Sequence, residues 1–246
     1  MKNYIFDLYG TLVDIKTDEW SGAVWEKIAL YFSMQGADYT KEELKKAYFS
    51  RIKEEEGKLA KKLEKIHPGI TEKEVEIDLA KVMINLYKAK GVKAGKQQVA
   101  DTMTAMRTIT MEKLCLFKGA KELLEALKAA GKKVYLLSNA QTGFTAPEVR
   151  MLGIEPYFDD IFYSSDLEVK KPSAYFYEAL FQKHGLKKKE SVMIGNDRWT
   201  DMQGAAEFGI SGIYLHTEQS TPYEDELPEG CHEVADLFEI IKEIEA

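Results

Sequence analysis

The chain has 246 residues, 45% of them hydrophobic and 30% charged, and a formal net charge of -7. That length fits one large domain or a core carrying an insert, and the acidic balance argues against a broad basic surface for nucleic acid. No apolar stretch is long enough to span a bilayer, the first residues lack a signal-type apolar region, and Cys115 and Cys231 form neither a disulfide framework nor a metal-ligand spacing; the expectation is a cytoplasmic protein.

Residues 3–7 read as a short buried strand, followed by Gly10 and Thr11 as turn residues. Trp20, Val24, Ile28, Tyr31 and Phe32 then make one apolar helix face. Thr40 with Glu43, and Thr71 with Glu74, have the spacing of capping boxes ahead of a second and a third helix, the third carrying Val75, Leu79, Val82 and Leu86. A fourth helix runs through Val99, Met103, Met106 and Ile109. Residues 15–110 therefore read as all-helical.

Beyond residue 117 helices and strands alternate. A helix over about 119–130 ends at Gly131, and strands are expected at 133–137, 160–163, 191–194 and 212–215. Between them fall a helix starting at Pro147, one over 173–184 and one over 201–208; a last helix covers 235–245. Residues 217–230 read as a polar surface loop. The fold class is thus α/β: a doubly wound parallel sheet, Rossmann-like, with an inserted helical domain. The boundaries expected are 1–14 and 111–246 for the core and 15–110 for the insert.

Polar residues collect just after the predicted strands. Asp7, Ser138 and Asp197 follow strands, and Lys171 lies in a loop several residues past one. Carboxyl ends of parallel strands share one rim, where ligands bind. A carboxylate, a hydroxyl, a lysine and an acid pair suit phosphoryl or acyl chemistry. Each residue also has a plain structural explanation: Asp7 could cap a helix, Ser138-Asn139 could be a turn, Lys171 a solvated charge, and Asn196 or Asp197 an N-cap.

In that order, the motifs Phe6-Asp7-Leu8-Tyr9-Gly10-Thr11-Leu12, Leu137-Ser138-Asn139, Lys171-Pro172 and Gly195-Asn196-Asp197-Arg198-Trp199-Thr200-Asp201 resemble the four motifs of the haloacid dehalogenase superfamily of hydrolases. The resemblance spans the chain and makes residues 15–110 a helical cap. It implies Asp7 as a covalent nucleophile. Thr11 and Gly10 would shape its loop, Ser138 and Asn139 would bind substrate oxygens, and Lys171 would neutralise charge. It also implies a Mg²⁺ held by Asp7, the Tyr9 backbone carbonyl, Asn196, Asp197 and Asp201. Specificity would come from the cap and its hinges near 13–17 and 110–118.

Tyr9 departs from the pattern. The family's phosphatases usually carry there a second aspartate that protonates the leaving oxygen, whereas a phenol is a poor base at neutral pH. Tyrosine at this place resembles the 2-haloacid dehalogenases, whose halide leaves without a proton and which need no metal. Those enzymes also use a cap arginine, for which Arg51 is the nearest candidate, and a tyrosine near Tyr177, which here reads as packing. Three functions stay open at this stage: a Mg²⁺-dependent phosphatase of a small phosphorylated metabolite, a metal-independent 2-haloacid dehalogenase, and a catalytically weak regulatory or binding protein. The partner expected is a small molecule, not nucleic acid or membrane.

Overall fold

A computed structural model describes residues 1–222 and 225–245. Residues 223 and 224 of the expected surface loop, and residue 246 at the end of the expected core, lie outside them. In chain order the elements are β1 (Asn3–Phe6), β2 (Val13–Thr17), α1 (Gly22–Met34), α2 (Lys41–Leu63), α3 (Leu79–Ala89), α4 (Lys96–Thr110), β3 (Met111–Leu116), α5 (Ala120–Ala129), β4 (Lys133–Ser138), α6 (Thr142–Met151), β5 (Asp160–Tyr163), α7 (Ser164–Leu167), α8 (Ala174–His184), β6 (Ser191–Gly195), a π-helical turn (Arg198–Gln203), α9 (Gly204–Phe208), β7 (Ser211–Leu215), β8 (Cys231–Val234) and α10 (Leu237–Glu245).

Six strands form one parallel sheet in the order β5-β4-β1-β6-β7-β8. β1 lies in the middle, between β4 and β6, and all four of its residues are buried. Alternate side chains go to opposite faces, as the strand period requires. Tyr4, Phe6, Leu136 and Ile194 pack with Leu123 and Leu127 of α5 and Ile240 of α10. Ile5, Tyr135, Leu137 and Met193 pack on the other face with Phe176 and Leu180 of α8 and Phe208 of α9.

Helices α1–α4 make a separate layer between β2 and β3, which pair antiparallel as a two-stranded ribbon carrying both connections. The capping box of Thr40 and Glu43 is made in both directions. Among the described residues no helix is long and apolar enough to cross a membrane.

Several elements differ from the sequence reading, each because a distant partner decides the local structure. The helical stretch starts later than residue 15, since residues 13–17 form β2. Trp20 precedes α1, is 69% exposed and stacks on Phe49 at 5.4 Å. Thr71 and Glu74 hydrogen-bond each other without starting a helix. Instead Glu76 N–H donates to the Glu168 carbonyl and Lys170 N–H to the Glu74 carbonyl, a bridge that holds 74–76 extended. Asp78 then caps α3. Pro147 lies inside α6, not at its start. That helix begins at Thr142, whose N–H donates to the Ser165 hydroxyl at 3.0 Å, a tertiary cap with no local signal. The strands β3 and β8 were not expected: β3 pairs with β2 in the separate ribbon, and β8 is an edge strand of the main sheet.

Candidate active site

The sheet order decides which residues meet. Because β4 and β6 flank β1, the residues following those strands, Ser138-Asn139 and Asn196-Asp197, come up on either side of Asp7. The chain leaves β1 through a tight turn in which Leu12 N–H and Val13 N–H both donate to the Leu8 carbonyl at 2.9 Å. Gly10 in this turn has φ +85°, and a Cβ there would come within 2.3 Å of the Asn196 side chain. Both facts demand glycine.

Asp7, Lys171 and Asp201 form one buried network. Lys171 Nζ donates to Asp7 Oδ1 and to Asp201 Oδ1, both at 2.7 Å, with the lysine side chain 1% exposed. Burial alone would lower the lysine's pKa; the Asp201 and Asp7 carboxylates outweigh it and hold the ammonium above its ordinary value. Burial pushes Asp201 upward, with Lys171 opposing it and Asp7 adding to it. Asp201 Oδ2 accepts from the Asp197 N–H at 3.0 Å, so each oxygen of Asp201 already has a donor. The fit is tight: a Cβ at Gly195 would stand 2.2 Å from Asp201 Oδ2.

The other sequence-selected residues divide into those aimed at Asp7 and those that support it. Thr11 Oγ1 lies 3.4 Å from Asp7 Oδ2 and 3.2 Å from Asn196 Oδ1, so these two oxygens converge on one hydroxyl. The Ser138 hydroxyl lines the same small pocket, is buried, and has no hydrogen-bond partner among the described residues. Asn139 is a support: its Oδ1 accepts from Lys171 N–H at 2.8 Å and its Nδ2 donates to the Lys171 carbonyl at 3.0 Å. The amide is occupied in fixing the lysine's backbone, not in facing a ligand. Asp197 is an N-cap, its Oδ1 accepting from Trp199 N–H, Thr200 N–H and the Thr200 hydroxyl. The helix expected at 201 starts at 198 as a π turn, because both Asp201 N–H and Met202 N–H reach the Asp197 carbonyl. Tyr177 is fully buried and donates to the Thr200 carbonyl at 3.1 Å, a packing role.

Tyr9 turns toward the helices. Its hydroxyl donates to Glu148 and lies 2.9 Å from Thr145 Oγ1. Burial first, and then the Glu148 charge, push its pKa well above the ordinary value. The phenol therefore stays protonated with its proton committed to Glu148. Glu148 also accepts from Arg107 Nε at 2.6 Å, and the guanidinium sits 5.6 Å from the Tyr9 ring centre. Arg51, expected as the cap arginine, pairs instead with Glu54 at 2.8 Å on the outer surface of α2, where helix phase turns it outward. Arg107, Glu148 and Thr145 carried no sequence motif. Nor did Gln219 and Thr217, which come from the polar segment after β7; Gln219 lines the Asp7 pocket and Thr217 donates to the Gly10 carbonyl at 2.9 Å.

As a cation site the donors are oxygen atoms of the hard type that Mg²⁺ takes. Asp7 Oδ2 and Asn196 Oδ1 converge and fit; Asp197 lines the same pocket with one oxygen committed to its cap. Asp201 does not fit, since Lys171 and the Asp197 N–H hold its oxygens. Among the described residues no three His, Cys, Asp or Glu side chains cluster as a ready-made metal centre. A magnesium ion here would draw on an amide, a main-chain carbonyl, water and substrate oxygens besides its carboxylates, which is its common habit.

A parallel sheet with a buried carboxylate–lysine network at the carboxyl end of its central strand, beneath a helical layer, defines a class of α/β hydrolase. The chain belongs to the haloacid dehalogenase-like hydrolases, whose family model matches residues 1–209. It is 32% identical over 114 residues to a pyrimidine 5'-nucleotidase of Streptococcus pneumoniae, covering 43% of this chain and 48% of that one. It is 27% identical over 129 residues to an (S)-2-haloacid dehalogenase of Burkholderia cepacia, covering 52% of this chain and 55% of that one. The chain thus spans about half the length of these curated relatives. The solved 2-haloacid dehalogenase of Pseudomonas syringae superposes over 100% of both chains with a TM-score of 0.64 at 18% identity, a likeness of fold.

Proposed function

We propose that the chain is a Mg²⁺-dependent phosphomonoester hydrolase acting through Asp7 on a small phosphorylated metabolite. The observation that carries this reading is the unpartnered, buried Ser138 hydroxyl beside the Lys171-paired Asp7, a donor left for an oxygen-rich ligand. Asp7 attacks phosphorus and the alcohol leaves, giving an acyl phosphate that water then cleaves. Lys171 offsets the charge of the nucleophile and of the phosphoryl oxygens, and Ser138 holds one of those oxygens. Asn139 and Asp201 are positioning residues that act through Lys171. Asp7, the Tyr9 carbonyl and Asn196 would hold the Mg²⁺, with Asp197 beside them; the ion would supply further neutralisation of phosphoryl charge. Asp201 leaves the ligand set assigned from the motifs, and Arg51 leaves the site.

The protonated Tyr9 phenol spends its hydrogen bond on Glu148, so the leaving alcohol lacks a side-chain acid at this place and activated esters react faster. The same residue favours a second reading, a metal-independent 2-haloacid dehalogenase. Against it, Arg107, the arginine beside Tyr9, is already paired with Glu148, leaving the carboxylate of a haloacid without a free cation there. The two readings separate in one assay. Phosphate release from p-nitrophenyl phosphate is expected with Mg²⁺ and is lost in a chelator. No release under either condition from folded protein, or halide release from 2-chloropropanoate in a chelator, would overturn the phosphatase reading.

A further inference from the structure

The Asp7 pocket, of about 180 Å³, adjoins a second cavity of about 400 Å³ beneath the helical layer. Tyr9 and Asn139 line both, so whatever is attached to a group bound at Asp7 extends into the larger space. Trp25, Ile28, Tyr48, Phe49, Met106 and Phe144 form the apolar, largely aromatic part of its wall, and polar and charged side chains form the rest. A cavity of this size suits a ring-bearing ligand, and a two- or three-carbon chain would leave most of it unfilled.

The charges in the wall are one-sided. Glu19, Glu56 and Glu76 line the cavity, and among the described lining residues Arg107 supplies the one cation. That guanidinium is held by Glu148 at 2.6 Å and faces Glu19 at 3.8 Å. Glu76 accepts from Gln141 at 2.9 Å and stands 3.9 Å from Lys170. An incoming anion would therefore meet three carboxylates and a cation already paired, while an amine or hydroxyl donor would find acceptors.

Resting on the phosphatase reading, we propose that the alcohol half of the substrate is a bulky ring-bearing group, uncharged or cationic, that fills this cavity, and that a second anionic group is rejected. The relevant class is a monophosphate of a ring-bearing alcohol carrying N–H or O–H donors.

Four esters test this with the whole protein and Mg²⁺: benzyl, 4-(aminomethyl)benzyl, 4-carboxybenzyl and ethyl phosphate. The first two are expected to exceed the other two in kcat/KM by at least about tenfold. Ile52→Trp and Ile28→Trp, which fill the cavity from two sides, are each expected to shrink the benzyl-to-ethyl ratio at least about fivefold. Equal rates on all four esters, or a preference for the carboxylated one, overturn the proposal and leave the phosphatase reading standing. A protein that hydrolyses none of them keeps the phosphatase reading if it releases phosphate from p-nitrophenyl phosphate and loses it if it does not, and in either case the cavity is then read by binding alone. Titration of 4-(aminomethyl)benzyl alcohol against 4-(hydroxymethyl)benzoate, followed by tryptophan fluorescence, is expected to show the amine bound at least about tenfold more tightly. Equal or reversed affinities overturn the proposal.

Discussion

The pocket around Asp7 and the cavity beside it share a wall but are built differently. The pocket is closed mainly by side chains that follow strand ends; its lysine lies hydrogen-bonded between two carboxylates, and its Ser138 hydroxyl is left without a partner. The cavity is walled largely by helix side chains held by packing, with ion pairs at its edge, among them Arg107–Glu148, which joins α4 to α6. Strand ends are fixed by the sheet register and can hold reacting atoms in place, whereas packed helix faces can change shape and size without disturbing that register. On the proposed reading, chemistry belongs to the pocket and selection to the cavity.

The largest expected effect lies in the pocket. Lys171→Met leaves Asp7 and Asp201 buried without their cation, and should cost about 3–5 kcal/mol in urea unfolding and abolish turnover. A destabilisation under about 1 kcal/mol would show that the network is not the pocket's anchor. Tyr9 sits on the shared wall and separates the two regions next. Tyr9→Asp should raise ethyl phosphate hydrolysis by about 10²-fold by supplying the acid this turn lacks, and Tyr9→Phe should lower it by less than about tenfold. If Tyr9→Phe removes all activity, the phenol takes part in the reaction and its bond to Glu148 is not its role.

In the cavity the effects are smaller. Glu148→Gln frees the Arg107 guanidinium, and should weaken the discrimination against 4-carboxybenzyl phosphate about tenfold while costing about 1–3 kcal/mol of stability. Unchanged discrimination would mean that Arg107 does not face the ligand. The smallest effect belongs to neither region. Burial works against ionisation of Asp159, but Lys133, the Val134 N–H and Lys128 outweigh it and lower its pKa to about 2 from the ordinary 3.8. Its folded pKa being depressed, its contribution is present above the ordinary value and is lost as the pH falls toward 2. Acid unfolding of Asp159→Asn should accordingly be shallower than wild type between pH 4 and 2. The substrate preferences should not move.

Legibility in the sequence follows the same division. Asp7, Ser138, Lys171 and Asp197 are legible as neighbours because a parallel sheet sends the residues after its strands to one rim, and strands announce themselves by short apolar runs; Thr11 and Asn196 are legible only through the motif resemblance. What those residues do to one another was less readable. Asn139 and Asp201 turn inward to hold Lys171, and Asp197 caps a π turn, because their partners lie 30 or more residues away or on a turn whose geometry is not periodic. The cavity was almost silent. Arg107 is one cation near the end of an amphipathic helix, Glu148 one acid on another, and only the packing of α4 on α6 brings them under Tyr9. Arg51 drew notice by its position in the chain, yet helix phase puts it outside.

The central claim is that Asp7 becomes covalently bonded to phosphorus. Acid quenching within the first turnover of p-nitrophenyl phosphate, followed by mass spectrometry of the peptide that contains Asp7, reads this directly. The peptide should gain the mass of one phosphoryl group, and the gain should vanish in Asp7→Asn. Full turnover by Asp7→Asn, or an alkyl ester on Asp7 formed from a 2-haloacid while no phosphoryl adduct forms, would contradict the account.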